Sequence, residues 1–377
     1  MAGNRHWRPT RVEVDLEHIR HNVRLFVELV GPSCQVMAVV KADGYGHGAV
    51  ETARAALQAG ASRLGVALVE EGEELRESGL EAPIHLLFEP PPAAAPRVVE
   101  LGLVPTVYDL DYARALSRAA RGRGGEIPVH LKVDTGMHRV GAMPAEAADL
   151  AEGIERLPGL ELEGVYTHLA MASEPGDPFT LRQWEVFNHV LEELEERGLK
   201  VPVRHAAASG AALSLPESRL EMIRLGIAMY GLLPGEGYRG RLDLRPALSL
   251  KTRLSHVFWA CAGEGVSYGL TYRCERDAWI AVLPLGYADG LARALSNRWE
   301  VLIAGRLYPL VGTVCMDLCM VDLGEDHYAP GEEATVIGGY GEEEIGVERM
   351  AKELGTINYE VVCDLGKRVP RLYRSRL

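Results

Sequence analysis

Residues 35–48 read QVMAVVKADGYGHG. Gln35–Val40 is an apolar run of the length of a buried strand. It ends on Lys41, and glycines follow at 44, 46 and 48. Burying an ammonium is costly, so a lysine at the end of such a strand is unusual. Burial also lowers a lysine's pKa, which a Schiff-base lysine needs. The glycines would let the backbone pass close to a ligand. A solvated lysine at a strand mouth would give the same letters.

Outward from this stretch the pattern recurs. Arg63–Ala67, Ile84–Leu87, Val104–Val107, Val129–Val133, Leu162–Tyr166, Val203–Ala207 and Met222–Leu225 are further apolar runs. Helical patterns lie between them, around 49–60, 109–121 and 144–156. The clearest places Leu181, Trp184, Phe187, Leu191 and Leu194 on one face. Upstream, Asp15 is a good N-cap for a helix through Leu16, Ile19, Val23, Phe26 and Val30, stopped by Gly31 and Pro32. About eight βα units in series predict an α/β fold, a TIM-like (β/α)8 barrel rather than an open sheet. After about Arg245 the texture changes. Leu248–Phe258, Trp279–Leu285, Val301–Ile303, Leu307–Val311, Met320–Leu323 and Ala334–Ile337 read as strands, and a helical pattern returns only at Val347–Leu354. The expected domains are therefore a barrel over 12–245 and a mainly β domain over 246–377. Residues 1–14 could join the second, since Arg11–Asp15 could pair with its strands.

Composition bounds the function. With 47% hydrophobic and 25% charged residues, the chain is expected to fold rather than stay disordered. A net charge of −13 disfavours nucleic acid and anionic membrane as partners. The densest basic stretch, Lys367, Arg368, Arg371, Arg374 and Arg376, reads as a solvated or salt-bridged tail. Met1–Thr10 lacks an apolar signal core, and no run suits a membrane span, so the cytoplasm is the expected location. Of the six cysteines only Cys315 and Cys319 are close in sequence, a poor zinc signature.

In a (β/α)8 barrel the chemistry sits where strands end. After the fifth strand come Lys132, Asp134, His138 and Arg139. Arg139 could hold a carboxylate bidentately, or pair with Asp134 at the surface. His168 follows the sixth strand. Ser209 follows the seventh, and Arg224, Gly226 and Ile227 the eighth, where barrels commonly bind phosphate. A rival reading takes Gly44, Gly46 and Ala49 as a dinucleotide fingerprint, with Glu70 ending the next strand.

Val40–Gly48 resembles the pyridoxal-phosphate (PLP) attachment signature of the alanine racemases. Arg8–Thr10, Lys132–Arg139, Arg224–Gly231, Val266–Gly269, Cys315–Asp317 and Val369–Arg371 resemble further motifs of that family, in the same order. The resemblance implies a cytoplasmic PLP enzyme, an isomerase working as a homodimer with shared active sites. L- and D-alanine would interconvert through an external aldimine, with Lys41 and Tyr268 of the partner subunit as the two bases. Lys41 would carry the cofactor. Tyr45, Ser209, Gly226, Ile227 and Tyr359 would bind its phosphate, and Arg224 its pyridine nitrogen. Arg139 would meet the phenolic oxygen and the substrate carboxylate. Met316 would reach the substrate from the partner. His168 would link Tyr268 to Arg224, and Lys132 would be carbamylated. The D-alanine would serve peptidoglycan precursors or alanine catabolism. Three positions depart from the family's pattern: Thr313 stands where an arginine is usual, Ala208 where an asparagine is common, and Ser173 where some members carry an acidic residue near the substrate entry. A broader serine racemase, a non-catalytic PLP carrier and a PLP decarboxylase are the alternatives.

Overall fold

The computed structural model of the chain describes residues 7–121, 125–340 and 343–375. Residues 1–6 of the polar N-terminus and Arg376 of the basic tail lie outside them. The chain forms two compact units. One comprises 19–44 and 49–245, the other 1–18, 45–48 and 246–377.

In the first unit, eight strands run in the ring order 203–205, 160–166, 127–132, 104–107, 84–86, 63–66, 35–39 and 222–225. Every neighbouring pair is parallel. A parallel bridge between Ala208 and Arg224 joins the seventh strand's end to the eighth. The βα series has therefore closed into a barrel. This removes the dinucleotide reading, which needs the crevice of an open sheet. Glu70 in addition lies exposed in the helix Val69–Glu77 rather than at a strand end. The longest helix, Pro178–Glu196, starts where Asp177 accepts the Phe179 N–H and proline fills the first helical position. Its apolar stripe buries Phe187, Val190 and Leu194.

The lumen is unusual. Barrel interiors are typically filled by branched aliphatic layers. Here His85, His130, His205, Tyr166 and Arg224, from five different strands, are all buried. The His205 ring stacks on Tyr166, centroids 4.5 Å apart and planes 8° off parallel.

In the second unit, a ten-stranded sheet includes Arg11–Asp15, antiparallel to Leu248–Arg253 and parallel to Arg371–Arg374. The run 248–258 is two strands rather than the single one expected. Leu254 donates to Glu332 and Ser255 to Val282, so the backbone changes partner between adjacent residues. Leu248–Arg253 then pairs with Glu333–Tyr340, and His256–Ala260 with Ala278–Leu283. Hydrophobic alternation cannot report such a switch, because the inward positions stay in phase through it: Leu248, Leu250, Thr252 and Leu254 are buried, and the half-buried Phe258 and buried Ala260 continue the same alternation. Of the basic tail, Arg368 pairs with Asp289 and Asp317, and Arg374 with Glu13.

Candidate active site

The residue after the first barrel strand enters a left-handed turn. Ala42, Asp43 and Gly44 have φ of 52°, 53° and 59°, and Tyr45 follows at 51°. Residues with a Cβ adopt this region at about 1–2 kcal/mol each, so the turn must be held from outside. Glu71 does so. One carboxylate oxygen accepts the Ala42 N–H at 2.6 Å; the other accepts those of Ala67 and Leu68 at 2.7 and 3.1 Å. Asp43 accepts the Ala49 N–H at 3.0 Å, at the start of the helix Ala49–Gln58. Neither role was visible in the sequence, because both acceptors act across turns whose shape the letters do not give.

Lys41, which precedes this turn, is half-buried. Its ammonium lies 5.6 Å from the Phe88 ring centroid. Lys132 Nζ is 5.1 Å and the Arg139 guanidinium 5.4 Å from the same ring. One phenylalanine thus gathers three cations that lie far apart in sequence. Lys132 rather than Lys41 is the deeply buried amine. Burial, followed by the positive charges of Arg139 and Arg224, brings its pKa down to about 7. Asp134 does not form the surface ion pair with the Arg139 side chain. Its oxygens accept the backbone N–H groups of Gly136, His138 and Arg139 and fix the loop.

Arg224 sits deeper. Its two terminal nitrogens make five hydrogen bonds, to His205 Nδ1 (2.8 Å), His168 Nδ1 (3.1 Å) and the carbonyls of His205, Thr167 and Ala206. Desolvation lowers its pKa to about 10, which leaves it cationic at neutral pH. Burial and the Arg224 charge hold His168 well below the usual histidine range, so it is neutral. Since the guanidinium donates to His168 Nδ1, the histidine's proton resides on Nε2.

Beside Arg224, the Ser209 hydroxyl accepts the Gly226 N–H at 3.1 Å. Ser209 opens the short helix Ser209–Ser214, and Ile227 opens a 3-10 turn through Tyr230. The first N–H groups of each have no intrahelical acceptor, which suits an anion. The barrel thus holds an amine at Lys41, a fixed cation at Arg224, and the first N–H groups of two short helical segments at Ser209 and Ile227, with the Gly226 N–H held by the Ser209 hydroxyl between them. This donor set fits PLP, whose aldehyde, ring nitrogen and phosphate need those three partners.

In the second unit, the Tyr45 and Tyr359 rings lie 6.0 Å apart. Burial raises the Tyr359 phenol to about 12. Gly46 has φ of 76°, and a Cβ there would lie 2.0 Å from the Val362 carbonyl oxygen, in the short helix that carries Tyr359. Tyr268 and Met316 are 75% and 53% exposed. They line one surface cavity of about 530 Å³ together with Thr313 and Tyr287.

One cluster was missed in the sequence. His85, His130 and Glu163 place ligand atoms within 4.8 Å of one another, a candidate metal geometry. Arg63 occupies it instead. It donates to both Glu163 oxygens at 2.8 Å and lies 3.1 Å from His85 Nε2.

The family models described as alanine racemase N-terminal domain and alanine racemase C-terminal domain match residues 14–234 and 247–373. The chain is 47% identical to the alanine racemase of Desulforamulus reducens over 97% of its own length and 99% of that protein. It is also 47% identical to that of Symbiobacterium thermophilum, over 97% of each. A crystal structure of alanine racemase from Bacillus anthracis with bound L-Ala-P superposes with a TM-score of 0.93 at 38% identity, covering 98% of this chain and 96% of that one.

Proposed function

The chain belongs to the alanine racemase family, and we propose that it interconverts L- and D-alanine with PLP as its cofactor and two bases, Lys41 and Tyr268. The observation that carries this reading is the gathering of Lys41, Lys132 and Arg139 around Phe88 at the end of a closed barrel. The C-terminal match over 247–373 argues against a single-barrel PLP carrier. An arginine at 224, in place of a carboxylate, argues against the decarboxylase.

Lys41 would hold the cofactor. Ser209, Gly226 and Ile227 would bind its phosphate, with the hydroxyls of Tyr45 and Tyr359 added by resemblance. When bound, PLP withdraws electrons from the substrate Cα and so acidifies its hydrogen. Everything else falls to the protein. Arg139 binds the substrate carboxylate. The Lys41 amine takes or returns the Cα proton of the D-isomer at Nζ, and Tyr268 serves the L-isomer through its phenol oxygen. Arg224 can only donate, so a ring nitrogen facing it stays unprotonated, which limits side reactions. His168, held by Arg224 at its Nδ1, would link it through Nε2 to Tyr268 of the partner subunit, as the resemblance implies. The exposure of Tyr268 and Met316 supports their service in the site of a second subunit, and hence a homodimer. Lys132 supports carbamylation, because only a neutral amine attacks CO2. The N–C bond forms, one proton leaves, and the product anion faces Arg139.

The test is chiral analysis of L-alanine incubated with the protein and PLP. D-alanine that forms with the wild type and not with Lys41→Ala supports the reading. A Lys41-dependent chromophore without D-alanine would sink it.

A further inference from the structure

The segment that carries Tyr268 has an unusual backbone. Ser267, Gly269 and Leu270 take φ of 67°, 74° and 46°. Side chains with a Cβ avoid this region, so Ser267 and Leu270 need an external restraint. The Tyr268 ring is three-quarters exposed and gets little support from its own subunit's packing. Within that subunit, where its phenol points is therefore set mainly through its backbone.

Thr313 supplies that restraint. Its hydroxyl donates to the Tyr268 carbonyl at 2.8 Å, and its own carbonyl accepts the Ser267 hydroxyl at 2.6 Å. The two bonds are reciprocal and close on adjacent residues of the strained turn. A further chain fixes the proton direction. The Asn297 amide donates to the Thr271 hydroxyl at 3.2 Å, and Thr271 lies 3.4 Å from the Thr313 hydroxyl. Asn297 Oδ1 in turn accepts the Gly312 N–H at 2.6 Å. Each hydroxyl has one proton, so the direction runs from Asn297 through Thr271 and Thr313 to the Tyr268 carbonyl. Gly312 brings the two backbones together. At its φ of 73° a Cβ would meet the Val266 carbonyl oxygen at 2.6 Å and Ser267 Cβ at 2.9 Å. Thr313 itself is buried.

We propose that Thr313 is a positioning residue for Tyr268, and that the Ser267–Thr313 clasp aims the phenol at the substrate Cα. The proposal rests on the reading of Tyr268 as a base. It also gives a role to Thr313, at a position where an arginine is usual in the family: its hydroxyl donates to the Tyr268 carbonyl.

The test compares Thr313→Val, which removes the hydroxyl at nearly constant volume, with Thr313→Ser, which keeps it. Enantiomers have equal free energies, so kcat/KM must fall equally in both directions. Misplacing the phenol should lower it by about 10- to 100-fold. Isotope effects with α-deuterated alanine separate the two bases. From L-alanine, Tyr268 removes the deuteron, and the effect should rise in Thr313→Val. From D-alanine, Lys41 removes it while Tyr268 acts later, and the effect should fall. Thr313→Ser should restore both. Unchanged isotope effects in a Thr313→Val protein of normal Tm would overturn the proposal, as would Thr313→Ser behaving like Thr313→Val. If Thr313→Val does not fold, Ser267→Ala removes the other half of the clasp and is read by the same criteria. Tyr268→Phe with wild-type rates and isotope effects would instead overturn the underlying reading of Tyr268.

Discussion

Arg224 Nη1 lies 2.8 Å from Nδ1 of His205, and this contact orients a line of hydrogen bonds across the barrel. The guanidinium can only donate, so His205 carries its proton on Nε2, 2.9 Å from His130 Nδ1. His130 then donates from Nε2 to Glu163 at 2.9 Å. Both histidines are neutral, and the chain ends on a carboxylate neutralised by Arg63.

The first prediction concerns pH. Burial, then neighbouring positive groups, hold His85, His168 and His205 well below the usual range, with His130 also lowered. The unfolded chain therefore binds more protons than the folded one below about pH 6.5. Stability should fall with acidification from there, by about 1.4 kcal/mol per pH unit for each histidine still neutral in the fold. Glu163 is held below the carboxylate range by its His130 and Arg63 bonds and adds a further loss below about pH 4.5. Urea titrations between pH 8 and 5 check this. A flat profile would contradict it.

A second prediction concerns the Arg63–Glu163 pair, mostly removed from water. Glu163→Ala leaves a buried guanidinium unpaired and should cost about 3–5 kcal/mol. Arg63→Met with Glu163→Met together should cost less than Glu163→Ala alone. The comparison of denaturation midpoints tests whether the pair or its individual charges matter.

Lys132 gives a third. With a pKa near 7, about half its amine is neutral at that pH. A carbamate signal from 13C-labelled bicarbonate should be present at pH 8, weaken below pH 7 as the amine protonates, and be missing in Lys132→Met. A signal that survives in the variant would assign it to another amine.

The left-handed turn after Lys41 gives a fourth. Ala42 has φ of 52°. Ala42→Gly should raise stability by up to about 1 kcal/mol, because glycine adopts this conformation without the Cβ clash. Glu71→Ala should act oppositely, by about 1–3 kcal/mol, since it releases the Ala42, Ala67 and Leu68 N–H groups. Thermal midpoints of the two variants should move in opposite directions.

Much of this was legible in the letters. Each of the eight barrel strands overlaps the apolar run expected for it, because the period and length of a buried strand are written in adjacent residues. The helix Val347–Leu354 matches its expected range for the same reason. The helix Val69–Glu77 was missed, since only Gly72 and Leu75 of it are buried and its apolar stripe is too thin to read. The strands at Gly265–Val266 and Tyr272–Arg273 were missed because two residues show no period.

The sequence by itself determined the alternation that makes a barrel, the positions of Lys41 and Arg139 after its strands and of Arg224 near the end of the eighth, and the family, since these depend on local pattern and motif order. Only the tertiary structure decided which lysine is buried, which carboxylate holds the turn at Ala42, how the lumen histidines share their protons, and that Thr313 reaches the carbonyl of Tyr268. Those facts depend on distances between residues remote in sequence. A residue's burial and hydrogen-bond partners are set by the packing of the whole chain, and no window of neighbouring letters contains them.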